Sequence, residues 1–171
     1  MKLPALALLC VAFVCIDDGA VIVTIGFEKM HCDECRTTAE SQLKRAQGGV
    51  KTVAIDGETA TVTIEEGTKL ELSKLRKAIP TDLKIKSLGL CARGTVSAKG
   101  SLLNFQPRDT ALEFQLANRE ERPKSEDDKV GALKKEMGGK NRYEVSGELR
   151  EKDKVTQLVL TSYKKTDWKD K

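Results

Sequence analysis

The sequence predicts an α+β chain in two units: a split β-α-β-β-α-β unit over residues 21–90, then a small, mostly-β unit over residues 91–171. Three observations carry that prediction. β-branched runs such as "VIVTI" and "ATVTI" alternate with stretches whose apolar residues recur at helical spacing. Gly48-Gly49, Asp56-Gly57 and Pro80 punctuate them. From Cys91 onward the chain reads as strands with a single short helical stretch.

Taken in order, "VIVTI" at residues 21–25 is the first strand. A helix begins at Glu34, with Cys35, Ala39, Leu43 and Ala46 on one face, and Gly48-Gly49 end it. "VKTVAID" is the second strand and Asp56-Gly57 turns it. "ATVTI" is the third, with Ala60, Val62 and Ile64 on one face. A second helix starts at about Leu70, carries Leu72, Leu75 and Ile79 on one side, and stops at Pro80. "LKIKSL", from Leu83, alternates as the fourth strand. This order is the ferredoxin-like arrangement, and right-handed crossovers place both helices on one face of an antiparallel sheet.

In the second unit, "ARGTVSAKGSLLNF" and "TALEFQLAN" read as two strands. "NREERPKSEDDK" is a charged loop, and "VGALKKEM" is a short helix closed by Gly138-Gly139. Residues 143–165 form a hairpin about a charged turn. Strands with one helix between them suit a small barrel resembling an OB-fold, a resemblance of strand order and not of signature residues.

Of the 171 residues, 33% are charged, 39% hydrophobic and 4% aromatic, so the cores must be mainly aliphatic. A net charge of +4 and few aromatics to stack on bases argue against nucleic acid as a partner. The run Leu3–Ile16 is shorter than the roughly 20 residues that span a bilayer and has the length of a secretory h-region. We read residues 1–20 as a signal peptide, which makes the protein secreted or periplasmic, with no stable membrane insertion after its removal. Asp17 and Asp18 stand where small residues are preferred, and an uncleaved signal anchor is the alternative. Leu9 and Val14 before Cys10 and Cys15 speak against a lipoprotein.

Cys32, Cys35 and Cys91 then remain, one local pair and a singleton, which is no disulfide framework. A C-x-x-C at a helix start favours thiolates, which serve as metal ligands and redox nucleophiles alike. Asp33 and Glu34 lie between the two. Carboxylates oppose thiolate formation without a cation and assist once one binds, so they tilt the pair toward metal. Structural zinc and iron–sulfur sites take four ligands. Two soft thiolates suit Cu(I) first, then other soft ions such as Hg and Cd, with Zn a further candidate.

Strand, then Met30-His31-Cys32-x-x-Cys35, then helix, within βαββαβ, resembles the heavy-metal-associated domain of copper chaperones and mercuric-ion-binding proteins over residues 21–88. The resemblance implies that Cys32 and Cys35 are the metal ligands and that Met30 is a core residue supporting the loop. It places Leu83 where the family often has an aromatic residue or lysine near the metal, and Val50 and Val53 fit its second strand. Two departures are present: Lys29 stands where the family has glycine, and His31 takes the variable position.

Plainer readings accompany these. The cysteines are otherwise a structural pair, oxidised to a disulfide after export. His31 is an exposed loop residue, Cys91 a small buried apolar residue at the junction and only secondarily a third thiol, and Asp33 and Glu34 solvated helix-start acids. The resulting expectation is an exported protein, not an enzyme, that carries or sequesters a soft metal ion and exchanges it with a metal-donating or metal-accepting protein. The alternatives are an extracytoplasmic thiol–disulfide oxidoreductase, and an adaptor whose second unit binds a protein partner.

Overall fold

A computed structural model describes residues 20–30, 32–120, 124, 125, 127–138 and 141–168. The residues read as a signal peptide up to position 19, and His31, lie outside the described residues. Among those described, no helix is long and apolar enough to cross a membrane.

The first unit contains β1 (Val21–Phe27), α1 (Asp33–Arg45), β2 (Val50–Asp56), β3 (Thr59–Ile64), α2 (Leu72–Lys77) and the start of β4 (Ile85–Lys99). Its strands lie in the order β2-β3-β1-β4, all antiparallel. Period-2 alternation divides the sheet into two faces. Registers Val23↔Val62, Val23↔Leu90, Ile25↔Ala60 and Ile25↔Leu88 align a buried aliphatic face. Ala39 and Leu43 of α1 and Leu75 of α2 join that core. The other face carries Thr24, Thr61 and Gly89 across one row and Gly26, Thr59 and Ser87 across the next.

The second helix is shorter than the sequence suggests. Leu70 is buried ahead of it, and Gln47, itself buried, holds the chain there. The Gln47 side-chain amide donates to the Lys69 carbonyl at 3.4 Å, and its Oε1 accepts from the Glu71 N–H at 2.9 Å. The backbone groups before Leu72 are therefore satisfied by a side chain from the end of α1, and the helix starts late.

β4 does not end where the first unit ends. It runs 15 residues, passes Cys91 unbroken, and leaves β1 to pair with two further strands. These are β5 (Leu102–Pro107), reached by a turn at Gly100 with φ +64°, and β7 (Arg142–Lys152). β6 (Phe114–Ala117), α3 (Lys129–Glu136) and β8 (Val155–Lys165) complete the unit. The order β4-β5-β6-β8-β7, with β7 returning to β4, closes a five-stranded barrel in which β6 and β8 run parallel. "ARGTVSAKGSLLNF" is thus a hairpin and not one strand. "TALEFQLAN" contains only four strand residues, because Thr110 closes a turn: its hydroxyl donates to the Pro107 carbonyl at 3.0 Å and accepts from the Leu112 N–H at 3.3 Å.

The barrel interior is built round Phe105, Phe114 and Tyr143, with Leu116, Leu149 and Leu158 in register and Leu133 of α3 buried with them. Gly94 faces Tyr143 across the β4–β7 ladder, and a Cβ there would stand 2.2 Å from the Gln106 carbonyl oxygen and 2.6 Å from the Phe105 ring. That missing side chain lets β5 and the Phe105 ring pack closely on β4 at the rung where β7 pairs from the other side. Asp128 caps α3 by accepting from the Gly131 N–H at 2.8 Å, and Asn118 donates to the same carboxylate at 2.8 Å.

Candidate metal centre

The cysteine loop emerges from the C-terminal end of β1, and neighbouring segments fix its course. The Phe27 N–H donates to the Glu58 carbonyl at 2.8 Å, and the Glu28 N–H to the Lys84 carbonyl at 3.0 Å. Phe27 and Met30 are buried beneath it, with Met30 only 2% exposed, so this thioether anchors the loop in the core. Leu83 is buried as well.

Cys32 is the N-cap of α1, with extended backbone, and its Sγ accepts from the Cys35 N–H at 3.0 Å. Its carbonyl accepts from the Arg36 N–H at 3.2 Å. A sulfur at the helix N-terminus sits where the macrodipole and free N–H groups favour negative charge. Cys32 is exposed, whereas Cys35 is half-buried and packs on the core, so one sulfur faces solvent and the other is held by the fold. Their Cα atoms are 5.3 Å apart and the two sulfurs are joined as a disulfide. In that form neither sulfur has a thiolate to offer. Two electrons and two protons convert it to two thiols, which then lie on one loop three residues apart. The donor set fits a soft ion of low coordination.

Asp33 bears on the sulfurs less than its place between the cysteines suggests. The Asp33 side chain is 99% exposed and its carboxylate is paired with the Arg36 guanidinium at 3.4 Å. Water and a cation both screen it from the sulfurs. Arg36 escaped the sequence reading, although Asp33 and Arg36 have the i,i+3 spacing at which helical side chains meet. Cys91 is fully buried, its sulfur engaged in a disulfide. It pairs with Ile22, whereas the cysteine loop follows Phe27. Five residues of strand, roughly 17 Å, separate the two places, so Cys91 is not a third thiol for the loop.

Residues 24–80 match the family model of the heavy-metal-associated domain. This stretch is a heavy-metal-associated domain. The match spans β1 to α2 and so contains both cysteines of the loop. Membership in this family supports binding of heavy-metal ions by the first unit. The match does not extend into the barrel. No curated protein and no solved structure matches the chain.

Proposed function

We propose that the heavy-metal-associated domain binds one soft metal ion, Cu(I) before Hg, Cd or Zn, through the thiolates of reduced Cys32 and Cys35. The observation that carries this reading is the placement of the pair. An exposed sulfur caps α1, its partner is anchored in the core one turn on, and both lie within the matched family segment. A two-thiolate site leaves room for a third thiol from a partner, which suits carriage or sequestration and not catalysis. Export to the periplasm or the cell exterior rests on residues 1–20 as a sequence pattern, and the mass of the mature protein tests it.

Anaerobic Cu(I) titration of the reduced protein against a competing chelator tests the metal reading. One equivalent bound, and none in Cys32→Ser/Cys35→Ser, is the expected result; equal binding by both proteins overturns it. A specific observation favours a second reading, thiol–disulfide exchange: the pair is a disulfide whose exposed sulfur lies at a helix N-terminus. Turnover in an insulin-reduction assay, lost in the same variant and accompanied by no Cu(I) binding, would select it. The barrel, whose helix lies between its third and fourth strands and whose third and fifth strands are parallel, supports an OB-type reading and a role in binding a partner.

A further inference from the structure

The outer wall of the barrel carries a cleft that lies apart from the core and from the cysteine loop. Thr95 of β4 is exposed between buried Gly94 and Val96. It is the register partner of Gln106 on one side and of Arg142 on the other. A short side chain between two long ones leaves a trough of about 230 Å³. Arg108 and Asp109, just past β5, line it on one side, and Arg142 of β7 with Trp168 on the other.

Both guanidiniums are held in place by the fold. Arg142 Nη1 donates to the Trp168 carbonyl, and its Cζ lies 5.4 Å from the centroid of the Trp168 ring. Arg108 Nη1 donates to the Glu66 carboxylate, and its Nε is paired with Asp109 at 3.4 Å. A guanidinium carries five N–H donors, and the two on Arg108 Nη2 make no hydrogen bond among the described residues. The backbone beside each arginine is left-handed, with φ +58° at Asp109 and +44° at Asn141. Among the described residues, the other two side-chain-bearing residues with positive φ, Asp153 and Lys154, form the β7–β8 turn. Such backbone is unfavourable for a residue with a Cβ, and folds keep it where it positions functional side chains.

We propose that this cleft binds a phosphate group, free or carried on a small molecule. Arginine keeps its charge and offers oxyanions paired N–H donors. The two walls stand on strands either side of β4, so their Cα atoms are roughly 10 Å apart and the guanidiniums approach from opposite sides. A planar carboxylate is chelated by one guanidinium, whereas a tetrahedral phosphate presents oxygens to both. The Thr95 hydroxyl on the floor is a further donor. Glu66 and Asp109 offset part of the positive charge, so the phosphate competes with them for Arg108.

Trp168 is the sole tryptophan, so its fluorescence reports on the cleft directly. The full chain is titrated with sodium phosphate and, in a second arm, with glycerol phosphate; sodium chloride and succinate at matched ionic strength are the controls. A saturable change with a phosphate is expected, and the tighter arm tells free phosphate from a phosphate ester. Amide signals of Thr95, Gln106 and Arg142 should shift in the same titration. Arg108→Gln and Arg142→Gln each weaken binding about tenfold. Glu66→Gln removes a competitor and no ligand contact, and tightens binding about threefold, a gain that a damaged fold does not give. Cys32→Ser/Cys35→Ser leaves binding unchanged whether or not that variant has lost Cu(I), which keeps this test separate from the metal reading. Absence of a saturable change, an equal response to chloride, or tighter binding of succinate would overturn the proposal. So would no gain in Glu66→Gln, or amide shifts confined to the start of α1.

Discussion

The two halves of this molecule solve the problem of burying a sheet differently. The first unit buries one face of four strands under two helices and leaves the other face rich in threonine, serine and glycine. The barrel curls its sheet until the inner face covers itself, and one helix, α3, contributes Leu133 to the core. The first core is aliphatic apart from Phe27, with Met30 beneath the loop; the second depends on Phe105, Phe114 and Tyr143. Each half therefore tolerates change in a different place. A sheet with an open face can host a site at its rim, whereas a closed barrel has little slack in its interior. Among the described residues, β4 alone obeys both rules, because its residues join the first core early and the barrel interior later.

That shared strand makes the sharpest test of the comparison. Phe105→Ala empties the barrel core and should cost about 3–5 kcal/mol. Because β4 runs through both sheets, the loss should be shared. Urea melts followed by Trp168 fluorescence and by amide signals of residues 21–64 should move together. If only the Trp168 transition moves, the halves are independent and the comparison must be redrawn as two separate domains.

Gly94→Ala comes next. The added methyl meets a backbone oxygen and an aromatic ring that cannot both retreat, and overpacking of this kind costs about 1–3 kcal/mol. Gly57→Ala, at a turn in the first unit where a Cβ meets nothing within 4 Å, carries only the strain of its φ of +54° and should cost less. Equal losses in paired thermal melts would deny that close approach sets the barrel apart.

Removing the α3 cap should have a smaller effect. Asp128→Ala is expected to cost about 1 kcal/mol. The Gly131 N–H first, and the Asn118 amide second, hold the Asp128 carboxyl below its ordinary value. A carboxyl lowered in the folded state stabilises above its unfolded pKa of about 3.9, and that stabilisation disappears as pH falls through the folded value. Acid titration of stability should therefore show a component below about pH 4 in the wild type that Asp128→Asn lacks. An unchanged profile would remove the cap from the account.

The smallest effect concerns contact between the halves. Arg108 of the barrel pairs with Glu66 of the first unit, side chains 21% and 32% exposed, and also with Asp109 at 3.4 Å. Arg108→Gln should cost less than about 1 kcal/mol in a denaturant melt. A larger loss would mean that this ion pair, and not the continuous β4, couples the two units.

Much of the first unit was legible because its signals are local. β1, β3, the buried face of α1 and the Asp56-Gly57 turn each follow from periodicity within a few residues. The cysteine pair and Met30 were legible for the same reason, being bracketed by a strand and a helix. α2 was misjudged at its start, because the group that satisfies its first backbone donors is Gln47, 24 residues earlier than Glu71. The Arg36–Asp33 pair is local too, since its i,i+3 spacing stands in the sequence.

From the sequence alone follow the alternation of strands and helices in the first unit, the chemistry of two soft donors at a helix start, and a single helix among strands in the second. Those features depend on contacts between near neighbours. The fold in three dimensions sets the rest: β4 crosses from one unit into the other, β6 and β8 meet in parallel to close the barrel, and the sheet forks at Gly89. Each of these joins residues far apart in the chain, where no local period points to the partner. The "CDEC" loop was readable in its letters, but its course was set by distant groups: the Glu28 N–H donates to the Lys84 carbonyl and the Phe27 N–H to the Glu58 carbonyl.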